Sequence, residues 1–427
     1  MFKKPLAICI AAFLVSMTIA TSGQENIPNR VVSEKLIGKI HTSSIVESFK
    51  VSPDSQRVAY AAILGKKQFV VVDGREEKHY DYVGAGTLIF SPDSKRIAYG
   101  AIQANKVFLV LDGKEEKTYD TIGGRGPVFS PDSQRVAYAA QSGNKWVVVA
   151  DGKEGRGFDA VSTGVGGITF SPNSQRLAYV ARADNKWFVV VDGKEEKHYD
   201  GIGQGTPNFS ADSKRVAYAA QSGNKWVVVL DGKEEHTYDV IGAGTPIFSL
   251  DSQRMAYEAK VGDKWFVVVD GKEERHYDGI GAGSLIFSPD SKRVAYAAQS
   301  GNKWAIVVNG KEEKYYDSSG SLVFSPDSQH VAYAAILGKK QLAVVDGREE
   351  KQYDYIVAGT LTFSPDSKRV AYAAILGKKQ FVVVDGKDGA QYNVFFRGGR
   401  IIFDRPDNLR YIVVKSNEIY LVEEAIK

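Results

Sequence analysis

Residues 90–99 read Phe-Ser-Pro-Asp-Ser-Lys-Arg-Ile-Ala-Tyr, and close copies of this stretch recur along the chain. Successive copies are 37 to 41 residues apart, and their first positions are Val51, Phe90, Phe129, Phe170, Phe209, Phe248, Phe287, Phe324 and Phe363, with a degraded tenth copy at Phe403. A fixed period of this length indicates stacked supersecondary units, each of which buries its apolar surface against its neighbours.

One unit contains four short strand patterns separated by turn signals. In the copy that starts at Phe209, the predicted strands are residues 206–210, 215–220, 226–230 and 234–239. The dipeptide Asp231-Gly232, between the third and fourth patterns, is typical of a two-residue hairpin. Four antiparallel strands in about 39 residues correspond to one blade of a β-propeller.

The second strand of each unit alternates large and small side chains. Val136 and Tyr138 point to one face of the predicted sheet, whereas Ala137 and Ala139 point to the other. The bulky face of one blade therefore fits the shallow face of the next, as close packing requires. The third strand is apolar on both faces and the fourth is charged, which places the fourth on the outside.

The two ends of the repeat region indicate how the ring closes. After Phe403 the chain has patterns for only two more strands, and residues 29–40 supply a pattern for the missing outer strand. We therefore predict an all-β fold, a single closed β-propeller of about ten four-stranded antiparallel blades, closed by an N-terminal strand in the C-terminal blade. Nine blades with stray ends, or two smaller propellers, are the alternatives.

The N-terminus resembles an export signal. Lys3 and Lys4 precede an apolar run over residues 5–19, and small residues follow at the spacing of a cleavage site. We predict a signal peptide over residues 1–23, a repeat domain over residues 24–427, and a periplasmic or extracellular location; an uncleaved anchor is the alternative. Cys9, the single cysteine, lies in the predicted signal, so the mature chain would have no disulfide. No later apolar run is long enough to span a membrane.

The charge pattern excludes a nucleic-acid-binding role. The 55 basic and 51 acidic residues are interspersed, and the formal net charge is only +4. Proteins that bind nucleic acid concentrate Lys and Arg on one surface or in one tract, and this sequence has no such tract.

Residues 90–99 resemble the WD-like repeat of the TolB-type propellers, which carry the same Phe-Ser-Pro-Asp-Gly/Ser-Lys-Arg-Ile-Ala-Tyr core. The match extends from residue 47 to about residue 404. The resemblance implies the fold. TolB is a periplasmic protein that binds partner proteins and has a separate domain before its propeller; this sequence has no such domain, so the resemblance does not imply the same role.

The sequence contains no pattern of a known catalytic or metal site. His79, His198 and His276 occupy one outer-strand slot in separate units, and the Gly-rich segments precede strands rather than helices, unlike phosphate-binding loops. We therefore predict no cofactor, no metal and no enzymatic activity. A polysaccharide-active enzyme is the least favoured hypothesis, and residues 155–167, an irregular stretch, would be the first place to search for its site.

The best candidate for a binding site is a row of five tryptophans, each preceded by lysine, at one equivalent position in five successive units: Trp146, Trp187, Trp226, Trp265 and Trp304, after Lys145, Lys186, Lys225, Lys264 and Lys303. The flanking units have Gln68, Val107, Gln341 and Gln380 there. Such a row either contacts a ligand, by stacking on sugars or holding peptide, or packs over the blade-to-blade core. Glutamine in three units favours a position near water, and Val107 favours packing.

These observations favour a non-catalytic binding platform outside the cytoplasm. Its expected partner is an envelope or extracellular protein, because a regular scaffold presents a broad face whose loops vary freely. The alternative is glycan or cell-wall polysaccharide binding by the tryptophans. We expect a monomer.

Overall fold

The computed structural model describes residues 30–427 except positions 393, 396 and 397. The predicted signal peptide, residues 1–23, lies outside the described residues. In the described part the only helix is a 3-10 turn, Val46–Ser48. Thus no helix of the described residues has the length and apolarity to cross a bilayer.

Ten antiparallel sheets follow one another along the chain, and each is a blade whose strands run from the inside to the outside. The second strands of blades 1 to 10 are Val58–Leu64, Ile97–Gln103, Val136–Ser142, Leu177–Ala183, Val216–Ser222, Met255–Val261, Val294–Ser300, Val331–Leu337, Val370–Leu376 and Asn408–Lys415. The third strands are Lys67–Val72, Lys106–Leu111, Lys145–Ala150, Lys186–Val191, Lys225–Leu230, Lys264–Val269, Lys303–Val308, Lys340–Val345, Lys379–Val384 and Glu418–Ile426.

The outer strands of blades 1 to 10 differ in length. They are Arg75–Glu76, Lys114–Tyr119, Lys153–Glu154, Lys194–Glu195, Lys233–Tyr238, Lys272–Glu273, Lys311–Glu312, Arg348–Tyr353, Lys387–Tyr392 and, in blade 10, Arg30–Lys39. The short ones continue through an isolated bridge, such as that between Trp187 and Tyr199.

The innermost strand is divided in seven blades, because the Gly-rich segment forms a turn inside it. In blade 3, Gly126 N–H donates to Gly123 O (2.9 Å) between the two paired halves. The innermost strands of blades 1 to 10 are Lys50–Val51; Tyr82–Phe90; Thr121–Ile122 and Val128–Phe129; Ala160–Val161 and Ile168–Phe170; Gly201–Ile202 and Asn208–Phe209; Val240–Ile241 and Ile247–Phe248; Gly279–Ile280 and Ile286–Phe287; Ser318–Phe324; Tyr355–Ile356 and Thr362–Phe363; and Val394–Phe395 and Ile402–Arg405.

Ten apolar clusters join the blades, one at each seam between neighbours, including the seam between blades 10 and 1. At the seam of blades 2 and 3, Val136 and Tyr138 pack against Ala98 and Leu109. Ala139, on the other face of the same strand, packs against Tyr179 of blade 4. The predicted nesting of large into small side chains is confirmed, and each fully buried large side chain stabilises the ring by roughly 1.5–3 kcal/mol.

The N-terminal strand closes the ring. Arg30–Lys39 pairs antiparallel with Glu418–Ile426 as the outer strand of blade 10, which confirms the predicted closure. Arg30 is buried there, and its Nη1 lies 2.7 Å from Oε1 of the equally buried Glu424. Tyr411 donates to the second carboxylate oxygen of Glu424 (2.9 Å). The ten-blade prediction is therefore correct.

The recurrent Ser-Pro-Asp-Ser-x-Arg stretch is an inter-blade clamp. In blade 1, Arg57 Nε donates to Asp73 in its own blade (2.8 Å), and Nη1 donates to the carbonyl oxygen of Ser94 in blade 2 (3.0 Å). The guanidinium lies 5.3 Å from the ring centroid of Phe90, and Ser94 Oγ accepts the N–H of Asp54 (3.0 Å). The stretch recurs because each copy binds two blades together; it does not mark a ligand site.

Candidate functional site

The five tryptophans lie on one face of the ring, in the five consecutive blades 3 to 7. Each begins a third strand, beside the hairpin that joins the second and third strands. This hairpin and the connection between blades open on the same face, which we call the tryptophan face; the Ser-Pro-Asp-Ser turns open on the opposite face. We call the five residues the tryptophan arc: Trp146, Trp187, Trp226, Trp265 and Trp304.

Each indole ring of the arc is half-buried. Trp146 packs against the cluster that contains Val161 of blade 4, and Trp226 against the cluster that contains Ile241 of blade 6. Trp187 and Trp304 similarly pack against the seams that follow their own blades. One side of these four rings therefore covers the end of a blade-to-blade core, as the packing alternative requires.

The glutamines in the same slot also contact the next blade. Gln68 Oε1 accepts the N–H of Val83 (3.0 Å), and Gln341 Oε1 accepts the N–H of Ile356 (2.8 Å). Gln380 Oε1 accepts the N–H of Phe395 (2.8 Å). Glutamine stands in this slot because its amide oxygen satisfies a backbone donor, which the sequence pattern alone did not indicate.

The free edge of the arc combines aromatic surface with hydrogen-bonding groups. In the described part of the chain, none of the five indole N–H groups donates to a protein acceptor, and none is fully buried. Arg182 lies 5.4 Å from the Trp187 ring, and Lys260 lies 5.9 Å from the Trp265 ring. A half-buried indole with a free N–H, next to a cation or an amide, can stack on an apolar or sugar surface and donate to it.

The lysines that precede the tryptophans are ion-paired. Lys145 Nζ lies 2.6 Å from Asp159 Oδ1, and the same contact recurs in the pairs Lys186–Asp200, Lys225–Asp239, Lys264–Asp278 and Lys303–Asp317. Asp159 Oδ2 also accepts the N–H of Asp184 in the next blade (3.1 Å). The hydrogen bond from Lys145 is the main cause that lowers the pKa of Asp159. These lysines therefore link neighbouring blades on the tryptophan face.

The three histidines of the shared outer-strand slot lie on separate blades, 1, 4 and 6. His79, His198 and His276 each stack on a phenylalanine of the adjacent strand, with ring centroids 4.1–4.4 Å apart. No group of three His, Cys, Asp or Glu residues able to hold a metal occurs in the described part of the chain. Residues 155–167 form the connection into blade 4 and part of its innermost strand.

Glu258 was not singled out from the sequence, although it departs from the repeat. Most sister copies have alanine after Ala-Tyr, whereas blade 6 has Met255-Ala256-Tyr257-Glu258. The Glu258 side chain is 3% exposed, and its Oε1 is buried without a hydrogen-bond partner. The carboxyl group packs against Gly242, where a Cβ atom would collide with it. Burial raises the pKa of Glu258 to about 7.

Comparison with known proteins gives fold neighbours only. No protein-family model and no curated protein matches the chain. Similar solved structures include a eukaryotic initiation factor (14% identity, TM-score 0.48, 87% of this chain and 98% of that one). TolB from Acinetobacter baumannii also matches (13%, 0.29, 67% and 78%), as does the β-propeller domain of the Trilobed protease from Pyrococcus furiosus (15%, 0.32, 64% and 96%). At such identities the likeness concerns the fold alone.

Proposed function

We propose that the protein is an exported, non-catalytic platform that binds another protein through its tryptophan face. The observation that carries this proposal is the tryptophan arc: five half-buried indoles with free N–H groups on five consecutive blades. Large, rigid aromatic side chains give contact area at low conformational cost, and tryptophan is enriched among the residues that dominate binding energy at protein interfaces. The β-propeller fold itself is typical of protein-binding scaffolds.

The scaffold supports such a role because its faces are held rigidly. Arginines such as Arg57, which donates to the carbonyl oxygen of Ser94 in the next blade, join the blades on one face, and ion pairs like Lys145–Asp159 join them on the other. A partner would therefore meet preformed side chains and would not have to order them, which lowers the entropic cost of binding.

A matched substitution tests the proposal. Glutamine occupies the same slot in blades 1, 8 and 9, so Trp146→Gln, Trp187→Gln and Trp226→Gln together should leave the ring folded. In a pull-down from the native envelope, a partner should be retained by the wild type and lost by this triple variant. A control variant changes Lys95 and Lys292, on the opposite face, to glutamine. A partner that the tryptophan variant retains as well as the wild type would refute the proposal.

The second candidate function is glycan binding by the same arc. It is supported by Gln141, Gln221 and Gln299. These residues lie opposite Trp146, Trp226 and Trp304 on the adjacent antiparallel strand, so each places a side-chain amide beside a tryptophan. Rings flanked by amides are the chemistry that stacks on and hydrogen-bonds to sugars. Cell-wall polysaccharides should then shift the tryptophan fluorescence of the wild type and not that of the triple variant. An unchanged spectrum at saturating polysaccharide would exclude this function.

Export is part of the proposal and has its own test. The basic start and apolar run of residues 1–23 support it. N-terminal sequencing of the protein recovered from the envelope or the medium should begin near residue 24. Recovery of the intact chain from the cytoplasm would refute export without affecting the tests of the arc.

A further inference from the structure

A second surface lies on the tryptophan face, on the part of the ring that the arc leaves free. The sequence Ile-Leu-Gly-Lys-Lys-Gln forms the hairpin between the second and third strands in blades 1, 8 and 9, at residues 63–68, 336–341 and 375–380. Blades 8, 9, 10 and 1 are consecutive, because the seams of blades 9 and 10 and of blades 10 and 1 are closed. We call these three hairpins, with the adjoining connections, the lysine–leucine arc.

Large apolar side chains stand out from this arc. Leu64 is 55% exposed at its hairpin, Tyr82 is 49% exposed in the adjoining connection, and Ile63, Leu337, Tyr355 and Val394 are exposed as well. These are six of the thirteen exposed large apolar residues in the described part of the chain. In the blades of the tryptophan arc, the positions equivalent to Tyr82 hold residues smaller than tyrosine: Thr121, Ala160, Gly201, Val240 and Gly279. The tryptophan arc exposes one such side chain at the hairpin position equivalent to Leu64, Val261, which is 50% exposed. The lysine–leucine arc therefore carries more exposed apolar side chains than the tryptophan arc does.

The same hairpins carry an excess of positive charge. Lys67 and Lys340 are ion-paired with Asp81 and Asp354, like the lysines of the tryptophan arc. Each hairpin has one lysine more: Lys66, Lys339 and Lys378 are exposed and make no ion pair within the described residues. The hairpins of the tryptophan arc have asparagine or aspartate at the position equivalent to Lys66, so they lack this additional positive charge.

The three hairpins share one geometry and so project to one level. Leu64 pairs with Lys67, Leu337 with Lys340, and Leu376 with Lys379. The glycine of each turn has nearly the same left-handed φ, 61°, 62° and 63°. Equivalent turns on blades 8, 9 and 1 project from the same face, which suits contact with a flat surface.

We propose that the lysine–leucine arc docks the protein onto a lipid bilayer that carries anionic headgroups. The exposed leucine, isoleucine and tyrosine side chains would enter the boundary between headgroups and acyl chains, and the unpaired lysines would lie at the level of the phosphates. This contact is peripheral, needs no spanning segment, and leaves the tryptophan arc beside it. It goes beyond the proposed function and does not depend on it.

Vesicle co-sedimentation tests the proposal with the chain from residue 24 to residue 427, which contains all ten described blades. The vesicles are phosphatidylcholine alone, or phosphatidylcholine with roughly one-third phosphatidylglycerol. We expect binding to the anionic vesicles that weakens between about 0.1 M and about 0.5 M salt. Replacing Lys66, Lys339 and Lys378 by glutamine should lower the partition coefficient by roughly a hundredfold, because each lysine near an anionic surface contributes about fivefold.

A second variant tests the apolar contribution. Leu64→Ser with Leu337→Ser should weaken binding to anionic vesicles by roughly tenfold or more, because each leucine loses its burial in the membrane. The matched control is Leu250→Ser, since Leu250 is 65% exposed in a turn on the opposite face. For the charge variant, the control replaces Lys95, Lys292 and Lys368, three exposed lysines of the opposite face, by glutamine.

The outcomes separate the proposal from its rivals. Loss of vesicle binding in both arc variants, with both controls and all melting temperatures unchanged, supports it. Equal loss of binding in the controls would show that vesicle binding depends on net charge or on non-specific adsorption, and would overturn the proposal. Absence of binding to anionic vesicles by the wild type would overturn it too, and would leave an acidic protein as the occupant of this surface.

Discussion

Replacing Glu258 by alanine should stabilise the protein at neutral and alkaline pH and abolish one component of its pH dependence. The buried carboxyl group has an Oε1 without a partner, and burial alone raises its pKa from 4.5 to about 7. The folded protein therefore binds more protons than the unfolded chain between these two values, so this group makes stability fall as pH rises through that window. Below about pH 4.5 the penalty is absent, and above about pH 7 it is complete.

The size of the effect follows from the shift. The rise of the pKa from 4.5 to about 7 corresponds to about 3 kcal/mol, at about 1.36 kcal/mol per pKa unit. With an unfolding entropy of about 2.1 cal/mol/K per residue over roughly 400 residues, this equals a change of about 4 °C in melting temperature. The alanine variant reproduces the arrangement of blades 5 and 7, where Ala219 and Ala297 occupy the same position.

The assay is thermal unfolding of the wild type and variants between about pH 5 and about pH 8, a range that covers most of the interval between the two pKa values and extends above it. The melting temperature of Glu258→Ala minus that of the wild type should grow by about 3 °C across this range, since part of the effect is already present at about pH 5. Glu258→Gln, which keeps the size without the titration, should show the same trend. Glu235→Ala removes an exposed carboxylate of blade 5 and serves as control. A pH-independent difference would refute the reasoning, because it would mean that Glu258 ionises freely in the folded ring.

Three further substitutions test the closure, the clamps and the connections. Arg30→Met should cost about 3–5 kcal/mol in unfolding free energy by leaving the buried Glu424 without its cation, and adding Glu424→Leu should recover most of it; a loss below about 1 kcal/mol in denaturant titrations would contradict this. His330→Arg restores the clamp to blade 8 and should raise the melting temperature by about 1 °C, whereas a fall would show that the seam is built for histidine. Gly126→Ala should lower the free energy of unfolding by about 2 kcal/mol or more beyond the loss caused by Gly143→Ala. Both glycines have positive φ, but only at Gly126 would a Cβ atom lie 2.6 Å from a backbone oxygen, that of Thr87. Equal losses in the two variants would contradict this close approach.

The period and the alternation of Val136 and Tyr138 with Ala137 and Ala139 were enough to predict the blades, their nesting and the closing strand. They were enough because every seam between blades repeats the same contact, so the ten copies of the pattern each indicate the same packing. The conformation inside the innermost strands could not be predicted, because the Gly-rich segments pair at both ends through backbone atoms that leave no side-chain pattern.

The candidate site was only partly predictable. The row from Trp146 to Trp304 was visible in the sequence, but the role of glutamine in that slot depends on a backbone donor in the next blade, which comes into reach only in the folded ring. The ion pair of Lys145 with Asp159 spans 14 residues and crosses the end of a blade, so no local pattern indicates it. Leu64 belongs to a sequence shared by blades 1, 8 and 9, but the exposure of its side chain depends on where each hairpin ends.

The pairing of Arg30–Lys39 with Glu418–Ile426 means that the ring can close only after the last residues have been synthesised. A ribosome releases the earlier strand long before its partner exists, so that strand must wait unpaired while some four hundred residues are made. Until then the ring of the nascent chain cannot close. Its first and last blades stay exposed, and each could associate with a near-identical blade of another copy. Contact between unfinished copies would then be the main hazard to assembly.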